Sequence, residues 1–199
     1  MKPVPTESAA SRLCAACGMC CNGVLFSSVR IQGADNQRRL AILGLRAKKR
    51  GDGLHIPQPC PAHCGSMCAI YNERPERCRM FKCRQIQLLE DGERTEAGAM
   101  DAIIEAANLV SRVSELLDQG GDRRTHKSLA VRCESVLTPP LDPSPAAGSV
   151  REKLRIAANE LAGFLDRHFR ANPAQNAQDF PKRYRPHTKD GKEAKAGEI

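Results

Sequence analysis

The chain has 199 residues, a formal net charge of +8 and a hydrophobic fraction of 41%, with ten cysteines, no tryptophan, two tyrosines and five phenylalanines. This length allows one domain, or a small domain with an extension, and the few large apolar side chains would make a thin core for it. No uncharged apolar run approaches 18 residues, which excludes a membrane-spanning helix, and the N-terminus lacks the apolar stretch of a signal peptide, so we expect a cytoplasmic protein.

The first elements in chain order are short. Residues 1–11 are predicted to form a polar N-terminal arm, and residues 13–23 a cysteine-containing turn with two glycines that let the backbone reverse. The β-prone residues 24–31 predict a short strand.

A helix is expected next, with Asp35 as its N-cap and Gly51 just past its end. Residues 51–63 are rich in glycine and proline and predict a loop. A short helix is then expected from Pro75 to Lys82, because proline suits the first turn of a helix.

The second half of the chain is predicted to be helical. Apolar residues recur at spacings of three and four from Glu96 onward, and Gly120-Gly121 would end that helix. A proline-rich linker is predicted at residues 138–145, and Ser149 with Glu152 forms a capping-box pattern. The predicted helices cover about residues 96–119, 123–137 and 149–170.

These elements predict a mainly α protein, in which a small, irregular, metal-stapled cysteine-rich domain is followed by a helical C-terminal extension. Metal binding would supply much of the folding energy that the small apolar core lacks. The predicted divisions are a polar arm at 1–11, a cysteine-cluster metal-binding domain at 12–95, a helical extension at 96–170 and a disordered tail at 171–199.

The cysteines are concentrated between residues 14 and 83, and only Cys133 lies elsewhere. In a reducing compartment such density predicts metal binding or catalysis rather than disulfides, and an odd number cannot pair off. A disulfide-stapled exported domain is the alternative, which the missing signal peptide disfavours. Cys133 lies on an apolar helical stripe and is expected to be a small buried hydrophobic residue.

The first motif is Cys14-x-x-Cys17-x-x-Cys20-Cys21. Two residues between cysteines let the chain turn back so that both sulfurs reach one ion, and amides of the turn can bind them. Side chains of adjacent cysteines diverge, so we expect Cys20 and Cys21 to serve different sites or different atoms of a cluster.

The second motif is Cys60-x₃-Cys64-x₃-Cys68-x₉-Cys78-x₄-Cys83. Cys78 would lie near the start of the helix from Pro75, where the helix dipole favours a thiolate. On an unbroken helix Cys78 and Cys83 would point about 140° apart. They can share a site only if the helix ends before Cys83.

The two motifs together resemble the CxxCxxCC cysteine-cluster family (YkgJ-type), whose members are described as zinc- or iron-chelating domains. The matching segments are residues 14–21, Cys60-Pro61 and C-A-I-Y-N-E-R-P-E-R-C-R-M-F at residues 68–81, and residues 35–44 resemble the family's helix. The resemblance covers roughly residues 12–85. It implies ligand roles for Cys14, Cys17, Cys20, Cys21, Cys60, Cys68 and Cys78, with Cys83 as an eighth ligand. Cys64 is additional to the pattern, either as a ninth ligand or as a free thiol.

The spacing leaves the metal open. Eight cysteines would make two closed zinc sites, and only His55 and His63 lie nearby as other ligands. The C-x₂-C-x₂-C start and the Cys60-Pro61 dipeptide favour an iron–sulfur cluster, most simply [4Fe–4S]. Flagellin lysine N-methylases have a similar cysteine motif and are thought to carry such a cluster, which adds weight to iron and raises a methyl-transfer hypothesis.

Residues near the second motif are candidates for a cofactor pocket. Tyr71, Arg74 and Arg79, with Phe81, would line a pocket beside the metal. The interpretation that the sequence favours is that Tyr71 and Phe81 pack the small core, while the arginines neutralise or hydrogen-bond thiolates.

A basic run at residues 46–50 has two interpretations. It would contact phosphate in a nucleic-acid-binding protein, or form the solvated last turn of a helix, where cations are favoured. The sequence favours the second, and without interleaved aromatic residues it does not support a single-strand stacking surface.

Three functions are consistent with these residues. The first is a metal-binding protein that coordinates an iron–sulfur cluster or zinc, without implied catalysis. The second is a cluster-dependent enzyme of methyltransferase or redox type. The third is a nucleic-acid-associated zinc protein, whose binding would weaken steeply with salt. Catalytic residues and any protein partner are left open, and no membrane partner is expected.

Overall fold

The structure, a computed structural model, describes residues 8–51, 53–138 and 144–171. Within these residues it is mainly α, as predicted. The helices are α1 (Ala9–Cys17), α2 (Gln37–Ile42), α3 (Glu76–Met80), α4 (Arg84–Glu90), α5 (Glu96–Gln119), α6 (Leu129–Leu137) and α7 (Pro145–His168). The strands are β1 (Ser28–Arg30), β2 (Lys48–Arg50), β3 (Gly53–Pro57), β4 (His63–Cys64) and β5 (Met67–Cys68), and a 3₁₀ turn covers Tyr71–Glu73.

Some predicted segments lie outside the described residues. These are most of the polar arm, most of the proline-rich linker, and nearly all of the predicted tail from residue 171 onward. Among the described residues no helix is both long enough and apolar enough to cross a bilayer.

The main hydrophobic core lies between α5 and α7, which are 24 residues each and pack along one another. Burying a leucine or valine stabilises the folded state by about 1.5–3 kcal/mol each, so this interface is the main apolar contribution to stability. The cysteine-containing part adds Leu13, Met19, Val24 and Leu25 to the same core. The largest fully buried side chains of α5 and α7 are Val113, Leu117, Leu154, Leu161 and Leu165.

Helix α5 follows the predicted bounds, whereas α7 begins earlier than its capping-box pattern predicts. The side chain of Ser144 accepts a hydrogen bond from Ala147 N at 3.3 Å, and Pro145 occupies the first helical position. A serine N-cap followed by proline is itself a signal for the start of a helix. Glu152 lies inside the helix and pairs with Arg155 instead.

Helix α6 is shorter than predicted because residues 123–128 form a loop around a buried carboxylate. Asp122 accepts a hydrogen bond from Arg132 Nε at 2.8 Å and pairs with Arg124 as well. Burial alone would raise the pKa of Asp122, but the hydrogen bonds from Arg124 and Arg132 outweigh it and hold the pKa below its usual range. The loop therefore covers a buried ion pair rather than continuing the helix.

A small antiparallel sheet with strand order β1-β3-β2 packs over a second hydrophobic cluster. The expectations of a loop at residues 51–63 and of one helix from Asp35 to Gly51 are therefore wrong. Helix α2 ends at Ile42, and Gly44 follows with a φ of 83°, which turns the chain into β2. The cluster consists of Ile31, Leu40, Leu45, Ile56 and Ala62.

Helix α1 is absent from the sequence predictions. Ser8 accepts a hydrogen bond from Ser11 N at 3.1 Å as its N-cap, and Gly18 ends it in the left-handed conformation with a φ of 61°. Leu13 is its single buried residue, so the helix lacks the apolar periodicity that would predict it. Its last residues carry two cysteines of the first motif.

Candidate metal centre

The first motif is divided between a helix and the turn that follows it. Cys14 and Cys17 are three residues apart on α1, so they share one face of the helix. Cys20 and Cys21 lie in the turn after Gly18, where Cys21 N donates to Gly18 O at 2.9 Å. The end of α1 thus places four cysteines within one short reversal of the chain.

The second motif reaches the first through the backbone of Cys60. Cys60 N donates to Cys21 O at 2.7 Å, and His63 N donates to Cys60 O at 3.0 Å. The β4–β5 hairpin then pairs His63 with Cys68. Cys60 and Cys68, which are distant from Cys21 in sequence, are therefore held beside it.

Cys78 lies on α3, whose first turn is held by Asp35, the residue that the sequence predicts to be the N-cap of α2. Asp35 Oδ1 accepts a hydrogen bond from Glu76 N, in the first turn of α3, at 2.8 Å. The cap of α2 is Asn36, whose side chain accepts from Arg39 N at 2.9 Å, so the prediction that Asp35 caps α2 is wrong. Asp35 instead fixes the short helix that carries Cys78.

Cys83 lies between two helices. Helix α3 ends at Met80, two residues before the predicted end, and Phe81 is extended and packs edge-on against Phe26 at 5.0 Å between ring centroids. Cys83 is the N-cap residue of α4, and Arg84 N donates to Phe169 O at 3.0 Å, at the end of α7. Cys78 and Cys83 are thus on different elements.

Eight cysteines lie close enough that a thiolate at one would raise the pKa of another. Cys83 interacts with Cys14, Cys17 and Cys20. Cys78 interacts with Cys21, Cys60 and Cys68. Below, Cys14, Cys17, Cys20 and Cys83 are called the Cys83 set, and Cys21, Cys60, Cys68 and Cys78 the Cys78 set.

Burial raises the pKa of seven of these eight thiols and so disfavours their thiolates in the absence of a cation. Burial, followed by neighbouring thiolates, raises the pKa of Cys78 to about 12. Burial raises the pKa of Cys17 to about 12, although the backbone amide of Met19 acts in the opposite direction, and burial raises the pKa of Cys21 to about 11. A bound metal cation reverses this balance because it stabilises thiolates directly.

Backbone amides already favour thiolates at two further positions. Burial is the largest influence on Cys60 and Cys83 and raises the pKa of each. The amides of Ala62 and His63 lower the pKa of Cys60, and those at the start of α4 lower the pKa of Cys83. Amide dipoles directed at cysteine sulfur are typical of metal–thiolate sites, so the chemistry of the donor set suits a zinc ion or an iron–sulfur cluster.

The sulfur atoms do not yet converge on a common point. Across residues 8–51, 53–138 and 144–171, no three His, Cys, Asp or Glu side chains are arranged so that they could hold a metal ion. The backbone brings the cysteines together, and metal binding would require their side chains to rotate inward.

Two cysteines lie outside this arrangement. Cys64 is exposed in the β4–β5 hairpin, opposite Met67. Cys133 is 3% exposed and packs in the main core, as predicted for a small hydrophobic residue. The ligand roles implied by the resemblance thus remain predictions for the other eight cysteines.

Of the cofactor-pocket candidates, Arg74 interacts with the cysteines. Its guanidinium lies 3.7 Å above the ring centroid of Tyr71, and its charge favours the thiolates of Cys14, Cys21 and Cys78. Tyr71 is 47% exposed, so the interpretation that it packs the core is wrong, while Arg79 is exposed. A cofactor role for these residues stays a prediction.

The sequence marks His63 only as a histidine near the cysteines, and the structure places it among them. Its Nε2 is buried and has no hydrogen-bond partner among the described residues. A Cβ added at Gly18, the residue after Cys17, would be 2.9 Å from Nε2, so the imidazole lies against Gly18. The position of His63 between Cys60 and Cys64 is the only signal for it in the sequence.

The basic run lies mainly on β2, whose residues are exposed at an edge of the three-stranded sheet. The prediction that the run forms the last turn of a helix is therefore wrong. Lysine on an edge strand prevents pairing with other chains, which accounts for these charges without a nucleic acid. Arg50 also donates to Ser28 Oγ at 2.9 Å.

Comparison with known proteins finds one family. Residues 13–101 match the model of the CxxCxxCC family, described as "Putative zinc- or iron-chelating domain". The match covers less than half of the chain and includes every cysteine of the Cys83 set and the Cys78 set. No curated protein and no solved structure matches the chain.

Proposed function

We propose that residues 13–101, which match the CxxCxxCC family model, bind a metal centre through the eight cysteines of the Cys83 and Cys78 sets. The observation that carries the proposal is that the fold brings these eight cysteines close together. Two motifs that are far apart in sequence meet where Cys60 N donates to Cys21 O, while Cys64 stays exposed at the edge.

An iron–sulfur cluster is the leading candidate and zinc is the alternative. The eight gathered ligands are all cysteines, and the C-x₂-C-x₂-C start is that of bacterial ferredoxins, although Cys60-Pro61 follows much later than their Cys-Pro does. Cysteine-only sites also suit zinc. The function proposed for either metal is a closed centre that holds the domain folded and, with iron, also carries electrons.

The test is metal analysis of the full chain, purified without oxygen. We expect a brown protein with a broad visible band and matched amounts of iron and acid-labile sulfide. A colourless protein with stoichiometric zinc would support the alternative metal. A folded chain that holds neither metal would contradict the proposal.

A matched pair of variants makes this test specific. Cys21→Ser replaces a cysteine of the gathered sets, whereas Cys64→Ser replaces an exposed cysteine of the neighbouring hairpin. We expect metal content to fall in Cys21→Ser and to equal the wild-type value in Cys64→Ser. Equal losses in both variants would contradict the assignment of ligands.

A further inference from the structure

The adjacent cysteines of the first motif contact different parts of the molecule. Cys20 and Cys21 are adjacent in sequence, and the side chains of adjacent residues generally diverge. Cys21 is tied to Cys60 through a backbone hydrogen bond of 2.7 Å. Cys20 instead packs against the main core.

The Cys83 set is grouped around the main core. Cys17, Cys20 and Cys83 all pack against the hydrophobic cluster that α5 and α7 build. Cys14 shares a face of α1 with Cys17. Cys83, which comes from the start of α4, interacts electrostatically with the other three members.

The Cys78 set is grouped beside the small sheet. Cys60 packs against the second hydrophobic cluster, next to Ala62. The hairpin places Cys68 opposite His63, and Ala69 N donates to Ala62 O at 2.8 Å, which holds Cys68 close to Cys60. Cys78 interacts with each of the other three members.

Cys21 is the point where the two sets meet. It interacts with Cys14, Cys17 and Cys20 as well as with its own set. Cys17, Cys20 and Cys83 nevertheless pack against the main core, whereas Cys60 packs against the second hydrophobic cluster. The sets are therefore neighbours that share a boundary, rather than one mixed cluster.

We propose that the eight cysteines form two separate four-cysteine metal centres, one held by the Cys83 set and one by the Cys78 set. The proposal rests on the proposed metal-binding function and adds the ligand grouping. Four thiolates complete a tetrahedral zinc site or give one ligand to each iron of a [4Fe–4S] cluster, so both centres are closed under either metal. Neither centre keeps an open position for substrate.

The experiment measures metal per chain in full-length variants purified without oxygen, because pairs of substitutions separate the sets. Cys83→Ser is expected to hold half of the wild-type metal. Adding Cys14→Ser, from the same set, is expected to remove nothing more. Adding Cys78→Ser instead, from the other set, is expected to remove the rest, and Cys64→Ser alone is expected to match the wild type.

Three results would overturn the grouping. They are complete metal loss from Cys83→Ser alone, further loss when Cys14→Ser is added, and retention of half of the metal when Cys78→Ser is added. Far-UV circular dichroism checks that α5 and α7 remain folded in each variant. If Cys83→Ser does not fold, the adjacent pair Cys20→Ser and Cys21→Ser, each combined with Cys78→Ser, makes the same comparison. A wild-type chain without metal would instead contradict the proposed function.

Discussion

Arg74 is a cation whose charge acts on cysteines of both sets. It favours the thiolates of Cys14, in the Cys83 set, and of Cys21 and Cys78, in the other set. Its Nε donates to Tyr71 O at 2.9 Å, so stacking and hydrogen bonding fix the guanidinium where it stands. We interpret Arg74 as the residue that offsets negative charge where the two sets meet.

We expect Arg74→Gln to weaken metal binding about 10-fold, because groups that support metal ligands contribute on that order. Arg79→Gln is the matched control, since Arg79 is an exposed arginine of the same segment. Competition with a chelator for the bound metal measures both affinities. Equal affinities in the two variants would show that Arg74 acts only as a surface charge.

At the scale of elements, the end of α1 docks against the β4–β5 hairpin. Gly18 has a φ of 61°, and a Cβ there would lie 2.9 Å from His63 Nε2 and 3.5 Å from Ser66. Gly65 in the hairpin has nearly the same φ, 62°, but a Cβ added there would have no neighbouring atom within 4 Å. Comparing alanine substitutions at Gly18 and Gly65 therefore distinguishes the cost of backbone strain from that of a steric conflict with His63.

We expect Gly65→Ala to lower the melting temperature of the metal-loaded protein by about 2–4 °C, because a left-handed alanine costs about 1 kcal/mol. Gly18→Ala should lower it by about 2–4 °C more, because displacing a packed side chain costs at least about 1 kcal/mol more. Thermal unfolding followed by circular dichroism measures both. The same loss in both variants would mean that contact with His63 does not support the site.

The sequence predicted long elements better than short ones. Helix α5 was predicted to its ends because its apolar residues repeat over 24 residues, between a threonine cap and a glycine pair. Strands β2 and β3 have three and five residues, and Ile56 of β3 is buried with Ile31 and Leu40 in a cluster that no local pattern reveals. The cysteines were evident from their spacing, but Cys83 could be grouped with Cys14 only once the chain was folded.

At the scale of the whole molecule, the cysteine-rich part and the helices share one core. Leu13 and Leu25 are buried in the cluster that α5 and α7 form, and Arg12 pairs with Glu96 at 2.6 Å, at the start of α5. The division into domains at 12–95 and 96–170 stays a prediction. Because α1 packs in this shared core, metal bound near α1 would stabilise the packing of α1 on α5 as well as its own ligands.

The most direct measurement is residue-resolved alkylation of the thiols in the full, metal-loaded chain, followed by mass spectrometry. Cys14 and Cys64 are both exposed, so accessibility alone would let a small alkylating reagent reach either one. Metal binding predicts that Cys64 is labelled rapidly, that Cys14 is labelled only slowly, and that a chelator releases Cys14 for labelling. Labelling of Cys14 at the same rate before and after metal removal would contradict its role as a metal ligand.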